Sequence, residues 1–499
     1  MATHPRCLVT GATGYIGGRL VPELLAAGYP VRCMARDPGK LADRPWSDDV
    51  EVARADVTDP AALHDALAGC DVAYYLIHSL GTGRSFEQRD RDAARAFGDA
   101  AREAGVRRIV YLGGMISGQE VDLSPHLRSR AEVGDILLDS GVPAAALQAA
   151  VIIGSGSASF EMLRYLTERL PAMITPKWVH TRIQPIAVRD VLRYLVGAAT
   201  LPDDVNRRFD IGGPDVLTYA DMMRRYAQVD KLRPRLLVSV PVLTPSLSSH
   251  WVGLVTPVPA GLAKPLVESL RNEVVASEHD IAQYIPDPRE GLLPLDRAIE
   301  LALAHTRGGD VSTSWTSAGT PGAPSDPLPS DPDWAGGSLY VDERTSVVDA
   351  SPDALWRVIE GIGGTAGWYS FPAAWAVRGV MDRLAGGVGL RRGRRDPVHL
   401  RPGDALDFWR VEAIVPGELL RLRAEMKLPG LAWLELHVGR DEEGRTSFRQ
   451  RAIFQPHGLA GHAYWRSVSP FHGMVFGGML ENITAAAEQG AAEPEKQAS

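Results

Sequence analysis

Thr10-Gly11-Ala12-Thr13-Gly14-Tyr15-Ile16-Gly17 is the segment whose residue types and spacing most plainly carry chemistry. It follows the β-branched run Arg6–Thr10 and opens the helical pattern Ile16–Ala27. In that context Gly11 permits a tight turn, Gly14 lets backbone approach a pyrophosphate, and Gly17 lets the helix lie close on a sheet. The helix N-terminus adds unpaired N–H groups and partial positive charge, so the loop predicts a dinucleotide held by its phosphates. About twenty residues on, where such folds write cofactor type, the chain reads Met34-Ala35-Arg36-Asp37-Pro38. Arg36 suits a 2′-phosphate, whereas Asp37 would accept from a ribose 2′-hydroxyl. Arginine comes first, which favours NADP, with NAD as the alternative. Asp56-Val57, after the third strand pattern, reads either as an adenine contact or as part of a capping turn to Asp59.

These groups need elements to position them. Candidate strands at Arg6–Thr10, Val31–Ala35, Val50–Ala53, Val72–Ile77, Arg107–Leu112 and Ala144–Leu147 alternate with helix candidates Ile16–Ala27, Pro60–Leu67, Glu87–Ala104 and Ala131–Ser140. Gly28, Gly105 and Gly141 sit where helices should stop. Such alternation predicts an α/β fold, a doubly wound parallel sheet. Residues 1–305 form that domain with a looser substrate-side extension after Val151. The Gly/Pro/Ser/Asp-rich stretch 306–337 reads as a linker. Leu420, Leu422, Ala424 and Met426 alternate with Arg421, Arg423, Glu425 and Lys427, the period of a half-buried antiparallel strand. Residues 338–490 therefore read as a second domain: strand, helices, antiparallel strands, and a long helix near Met474–Glu488. The last residues, 491–499, are expected to be a disordered tail.

Composition narrows the function classes. A formal charge of −8 argues against nucleic acid as partner. Three cysteines, Cys7, Cys33 and Cys70, form no CxxC pair and suit a reducing, cytoplasmic setting. Leu236–Ala263 carries no Asp, Glu, Lys or Arg, but prolines and a polar run break it into pieces too short to span a bilayer. It is expected to be a buried wall or lid; contact with a membrane surface is the less favoured reading. His457 and His462 have no Cys or carboxylate companion at ligand spacing, so no metal is expected.

TGATGYIGG, the following Ala-Arg-Asp, Ala55-Asp56-Val57 and Gln184–Asp190 resemble an atypical short-chain dehydrogenase/reductase of the NmrA-like, NAD(P)-binding Rossmann group over roughly residues 5–300. The resemblance implies that Gly11, Gly14, Gly17, Arg36 and Asp56 line the cofactor site, with Leu76, Ile77 and His78 under the ribose. Reductases of this superfamily use a Tyr-x-x-x-Lys pair; here the matching stretch reads Ser124-Pro-His-Leu-Arg-Ser-Arg-Ala-Glu132. Gly113 and Gly114 stand where the usual serine would be. His126 and Arg130 keep the four-residue spacing and share one helix face. One reading makes His126 the proton carrier and Arg130 the clamp on ribose or phosphate oxygens. The other makes His126 a capping or packing residue in a chain that has lost catalysis.

The loop Gly154–Ser159 borders either the nicotinamide or nothing beyond its own capped turn. Tyr165 either reaches a substrate pocket or packs in the core. The order of elements in 338–490 resembles a START-like (SRPBCC) helix-grip α+β domain, which implies an apolar ligand held between sheet and long helix. Trp368, Tyr369, Phe371, Trp375, Trp409, Trp433, Phe448, Phe454, Tyr464, Trp465 and Phe471 are candidates for its lining or its core. The cluster Gly389–Asp396 reads as a solvated hairpin edge before an anion site. The chain is thus expected to be an oxidoreductase acting on a hydrophobic carbonyl or quinone-like compound. A non-catalytic NADP(H) sensor and a lipid-binding protein are the alternatives, and nothing in the sequence sets the oligomeric state.

Overall fold

The computed structural model describes residues 4–42, 44–77, 86–116, 123–239, 266–307, 339–363, 367–369, 399–406, 408–426, 428–441 and 443–497. Contacts divide the chain into two units, Met1–Gly337 and Ser338–Ser499. Of the stretch expected as a linker, Thr306 and Arg307 end the helix Leu295–Arg307, and the remainder lies outside the described residues. So do residues 240–263 of the charge-free segment, the basic cluster 389–396, Phe371, Trp375 and His78.

The first unit is built on seven parallel strands. In chain order they are β1 (Cys7–Thr10), β2 (Val31–Ala35), β3 (Glu51–Arg54), β4 (Val72–Tyr75), β5 (Arg108–Gly114), β6 (Ala144–Ala149) and a last strand, Arg207–Ile211. Across the sheet the order is Arg207–Ile211, β6, β5, β4, β1, β2, β3, so the chain reverses direction of travel between β1 and β4. Helices cover both faces. Cys7 and Val9 pack into one core with Leu20 and Leu24 of α1 (Tyr15–Ala26) and Val191 and Leu195 of α6 (Val188–Ala198). Leu8 points the other way, to Leu63 of α2 (Pro60–Leu67) and Phe97 of α3 (Phe86–Glu103). Burial on both faces explains why these strands read as unbroken apolar runs.

One boundary differs in a way that matters. Apolar periodicity starts the fourth helix at Ala131, yet α4 spans Pro125–Leu138. Ser124 caps it by accepting from the Leu127 N–H at 3.3 Å, and Pro125 sits at the first helical position. His126 and Arg130 therefore occupy its first turns. A third core joins α5 (Ala158–Arg169), α7 (Tyr219–Val229) and Leu295–Arg307 through Phe160, Met223 and Ile299. Tyr165 lies in that core rather than in a pocket.

The second unit is a six-stranded antiparallel sheet ordered Tyr340–Val347, Thr446–Pro456, Gly430–Arg440, Leu419–Ala424, Trp409–Val415, Ala405–Leu406. The helix Pro352–Glu360 and a helix spanning Gly458–Gln497 pack with it. That last helix begins well before Met474 and runs into the stretch read as a tail. Leu420, Leu422, Leu434 and Leu436 face the core. The opposite face departs from the alternation: Arg421 is buried as well, paired with Glu435 of the neighbouring strand. Among the described residues, no helix is long and apolar enough to cross a membrane.

Candidate active site

Reversal of strand order opens a crevice beyond the carboxyl ends of β1 and β4, the place where sheets of this kind bind ligands. Thr10 ties the two strands together there. Its hydroxyl donates to the Tyr74 carbonyl at 2.8 Å and accepts from the Leu76 N–H at 3.0 Å. It is fully buried and does not line the cleft, so its part is to hold β1 against β4. Gly11 follows in the left-handed region with φ +69°, and a Cβ there would lie 2.7 Å from the Leu76 carbonyl oxygen. A Cβ on Gly17 would lie 2.3 Å from the Gly11 carbonyl oxygen. The loop closes on itself as the Gly14 N–H donates to that same oxygen at 2.8 Å. Gly14 is also the N-cap of α1 and brings no side-chain cap of its own, leaving that helix end to an external acceptor.

A single cleft of about 1310 Å³ runs past this loop. Gly11, Thr13, Gly14, Tyr15, Ile16 and Gly17 line it, as do Arg36, Asp56, Val57, Leu76 and Ile77. His126 and Arg130 line the same cleft. Local structure decides between the two readings of the β2 terminus. The Asp37 carboxylate accepts from the Gly39 N–H at 3.2 Å and caps the short turn Pro38–Leu41. Arg36 is exposed, and Lys40 lines the cleft with it, so the cleft carries two cations near the expected 2′-position. Asp56 combines both of its readings. It lines the cleft, and its Oδ1 accepts from the Thr58 N–H at 2.9 Å and hydroxyl at 2.8 Å. Those bonds, aided by Arg36, hold its carboxyl below the usual range; the cap of α2 is Asp59.

His126 stacks on Phe86, ring centroids 4.5 Å apart and 16° from parallel. Burial lowers its pKa; Arg130 adds to this, while Glu268, Asp90 and Glu87 oppose it. On balance these groups favour the neutral imidazole. Gly114 leaves room at the start of α4: a Cβ there would lie 2.9 Å from the Leu127 side chain, with Arg130 Cδ in ordinary contact at 3.5 Å. The glycine at this position thus makes room for the Leu127 side chain.

Several groups escaped the sequence reading because their roles depend on partners outside their own local pattern. Arg19 donates to the Ser155 carbonyl at 3.0 Å, pinning α1 to the loop before α5. Arg44 donates to the Thr13 carbonyl at 3.3 Å and steadies the glycine loop. The loop Gly154–Ser159 is a capped turn, with Ser157 accepting from the Phe160 N–H at 3.4 Å. Its Gly156, Ser157 and Ser159 nevertheless line the cleft. Met162, Tyr219, Leu266, Leu270 and Val274 complete an apolar wall. No local motif announces these residues; the charge-free run ending at Ala263, just before Leu266, was the nearest signal.

In the second unit, Trp368, Trp409 and Phe448 belong to the core. Phe454 stacks on Trp465 at 5.8 Å and lies 5.4 Å from Tyr464, while Phe471 is 61% exposed. A cleft of about 210 Å³ between the two helices takes only Tyr369 from the aromatic set.

A parallel sheet with a glycine-loop crevice at its strand reversal defines a dinucleotide-binding protein with a reductase-like fold. Comparison with known proteins agrees. A family model described as NAD(P)H-binding matches residues 11–158, and one described as a protein of unknown function (DUF2867) matches residues 334–479. The chain is 32% identical over 308 residues to a ceramide reductase of Caulobacter vibrioides, covering 57% of this chain and 91% of that protein. It is 36% identical over 109 residues to cinnamoyl-CoA reductase 1 of Oryza sativa subsp. japonica, covering 21% of this chain and 32% of the relative. Among solved structures, the Citrobacter sp. triphenylmethane reductase complexed with NADP(H) aligns at 21% identity and TM-score 0.47, over 60% of this chain and 100% of that one. The chain belongs to the NAD(P)-binding reductase family of short-chain dehydrogenase/reductase, NmrA-like type, and carries a DUF2867 domain at its C-terminal end.

Proposed function

We propose that the protein is a cytoplasmic, NADPH-dependent reductase of an apolar, lipid-like carbonyl compound. The observation that carries this is the shared cleft: the glycine loop and Arg36 line the same space as His126, Arg130 and the wall of Met162, Leu270 and Val274. NADPH, when bound, supplies a hydride; the carbonyl carbon takes it, the oxygen takes a proton, and an alcohol and NADP⁺ result. Arg36, joined by Lys40, holds the 2′-phosphate, and the α1 N-terminus holds the pyrophosphate. Thr13, Tyr15, Ile16 and Val57 shape the cradle, while Leu76 and Ile77 floor the ribose. Arg130 clamps an oxygen of cofactor or substrate. Neutral His126 accepts and passes on a proton from solvent rather than acting as a standing cation. The Caulobacter relative's name, ceramide reductase, fits a substrate that is mostly hydrocarbon. The second unit is proposed to be a helix-grip module holding an apolar ligand.

Titration with NADPH and NADH tests the cofactor assignment. Arg36→Ala should weaken NADPH roughly 10- to 100-fold, the worth of a charged hydrogen-bonding contact, and leave NADH within about threefold. Equal losses for the two nucleotides would sink the 2′-phosphate role. His126→Ala should slow turnover about 100-fold, the low end for a positioned proton carrier. Because the folded pKa lies below 6.5, wild-type kcat/KM should be flat through pH 7 and fall as acid protonates the ring. A profile that instead falls with rising pH through 6.5 would make His126 a cationic acid.

The departure from Tyr-x-x-x-Lys supports a second reading, a nucleotide sensor. Tight NADPH binding with no consumption on any apolar carbonyl would favour it.

A further inference from the structure

Tyr219 is a cleft residue that the reductase reading leaves without a task. It opens α7 directly after the Thr218–Asp221 capping box and lines the cleft. The residue is 1% exposed, and its hydroxyl has no hydrogen-bond partner among the described residues. Tyr111, also in the lining, differs: its hydroxyl donates to the Arg130 carbonyl at 3.1 Å. The surroundings of Tyr219 are apolar. Its ring meets Trp178 edge-on at 5.6 Å, and it shares a core with Met162, Leu270 and Val274, which line the cleft too. Burial raises the hydroxyl's pKa far above its ordinary value, so it is a standing donor that does not give up its proton.

A buried hydroxyl without a partner costs stability, and folded chains keep few of them. We propose that Tyr219 is a substrate-anchoring residue, its hydroxyl donating a hydrogen bond to an oxygen of an otherwise apolar substrate. The inference rests on the reductase reading and narrows it. Met162, Leu270 and Val274 accept a hydrocarbon body, and Tyr219 demands one acceptor oxygen on that body, of a carbonyl, amide or hydroxyl. A pure hydrocarbon would leave the hydroxyl sealed and unpaired, which is how a polar group rejects an analogue that lacks its partner.

Tyr219→Phe removes the hydroxyl and keeps the ring. In the ligand-free full-length protein, thermal unfolding of the variant should rise by about 2 °C or more, since the unpaired group is gone. In NADPH-loaded protein, calorimetry should show wild type preferring decanone and decanol over decane. The variant should lose about fivefold of that preference, with NADPH affinity unchanged. A merely structural tyrosine would give the opposite thermal shift and no change in preference; either result overturns the proposal, as does failure of wild type to bind the oxygenated probes. The binding readout needs no turnover. If the preference holds but decanone consumes no NADPH, the reductase reading falls and the anchor stands.

Discussion

Gly17→Val is expected to abolish NADPH binding, with affinity falling at least about 100-fold, because the pyrophosphate is held by backbone groups that this change displaces. Even the first added carbon would sit 2.3 Å from the Gly11 carbonyl oxygen, against backbone that cannot swing aside. Either α1 moves off the sheet or the loop opens, and each takes the helix N-terminus away from the phosphates. Overpacking of this kind costs about 1–3 kcal/mol, so the variant should fold while failing to bind. Gly14→Ala makes the graded control. Its Cβ would lie 3.2 Å from the same oxygen, a contact that a small shift relieves. Fluorescence titration, with circular dichroism to show that the fold persists, measures both. Near-native NADPH affinity in Gly17→Val would mean that the loop is not the phosphate cradle.

The second large effect lies in the other unit. Glu343, Arg451, Glu435 and Arg421 face one another across four adjacent strands, an alternating row of charge. Glu435 is fully buried; its Oε1 accepts from Arg421 at 2.9 Å and its Oε2 from Arg451 at 3.2 Å, with His437 at 3.3 Å. Glu435→Ala removes the Glu435 carboxylate from Arg451 and from buried Arg421 and should cost about 3–5 kcal/mol. Urea unfolding should show that loss in the second unit while NADPH affinity stays at the wild-type value. A loss below about 1 kcal/mol, the scale of a solvated pair, would show the row to be solvated. The pH dependence has a definite sign. Burial raises the Glu435 pKa, but the His437 hydrogen bond and the charges of Arg421 and Arg451 outweigh it, so the folded value lies below 4.5. The stabilisation is therefore complete above the unfolded pKa and is lost as pH falls through the folded one.

This row also marks a limit of pattern reading. Alternation of leucine with arginine identifies the strand, which runs Leu419–Ala424, yet it assigns Arg421 to solvent. Period two reports only that successive side chains point to opposite faces; what covers the second face depends on partners chosen elsewhere in the chain. The start of α4 shows a related gap. Ser124-Pro125 carries the cap and first-turn signals, but apolar periodicity begins only at Ala131, because the first turns face the cleft instead of the core.

The amino-acid sequence alone determined the parallel α/β sheet, the dinucleotide loop, the cofactor class and the antiparallel second unit. Each depends on interactions between residues near one another in the chain: turns, caps, periodicity and the glycine spacing. Tertiary structure alone decided that Arg36 and Lys40 line one cleft with His126 and Arg130, and that Thr10 ties β1 to β4. It also decided that Tyr219, Leu270 and Val274, more than two hundred residues from the glycine loop, line one cleft with it. The reason is physical. Hydrogen bonds within a turn are specified by the residues of that turn, but the walls of a cleft are set by which distant faces bury one another, and no local pattern encodes that choice.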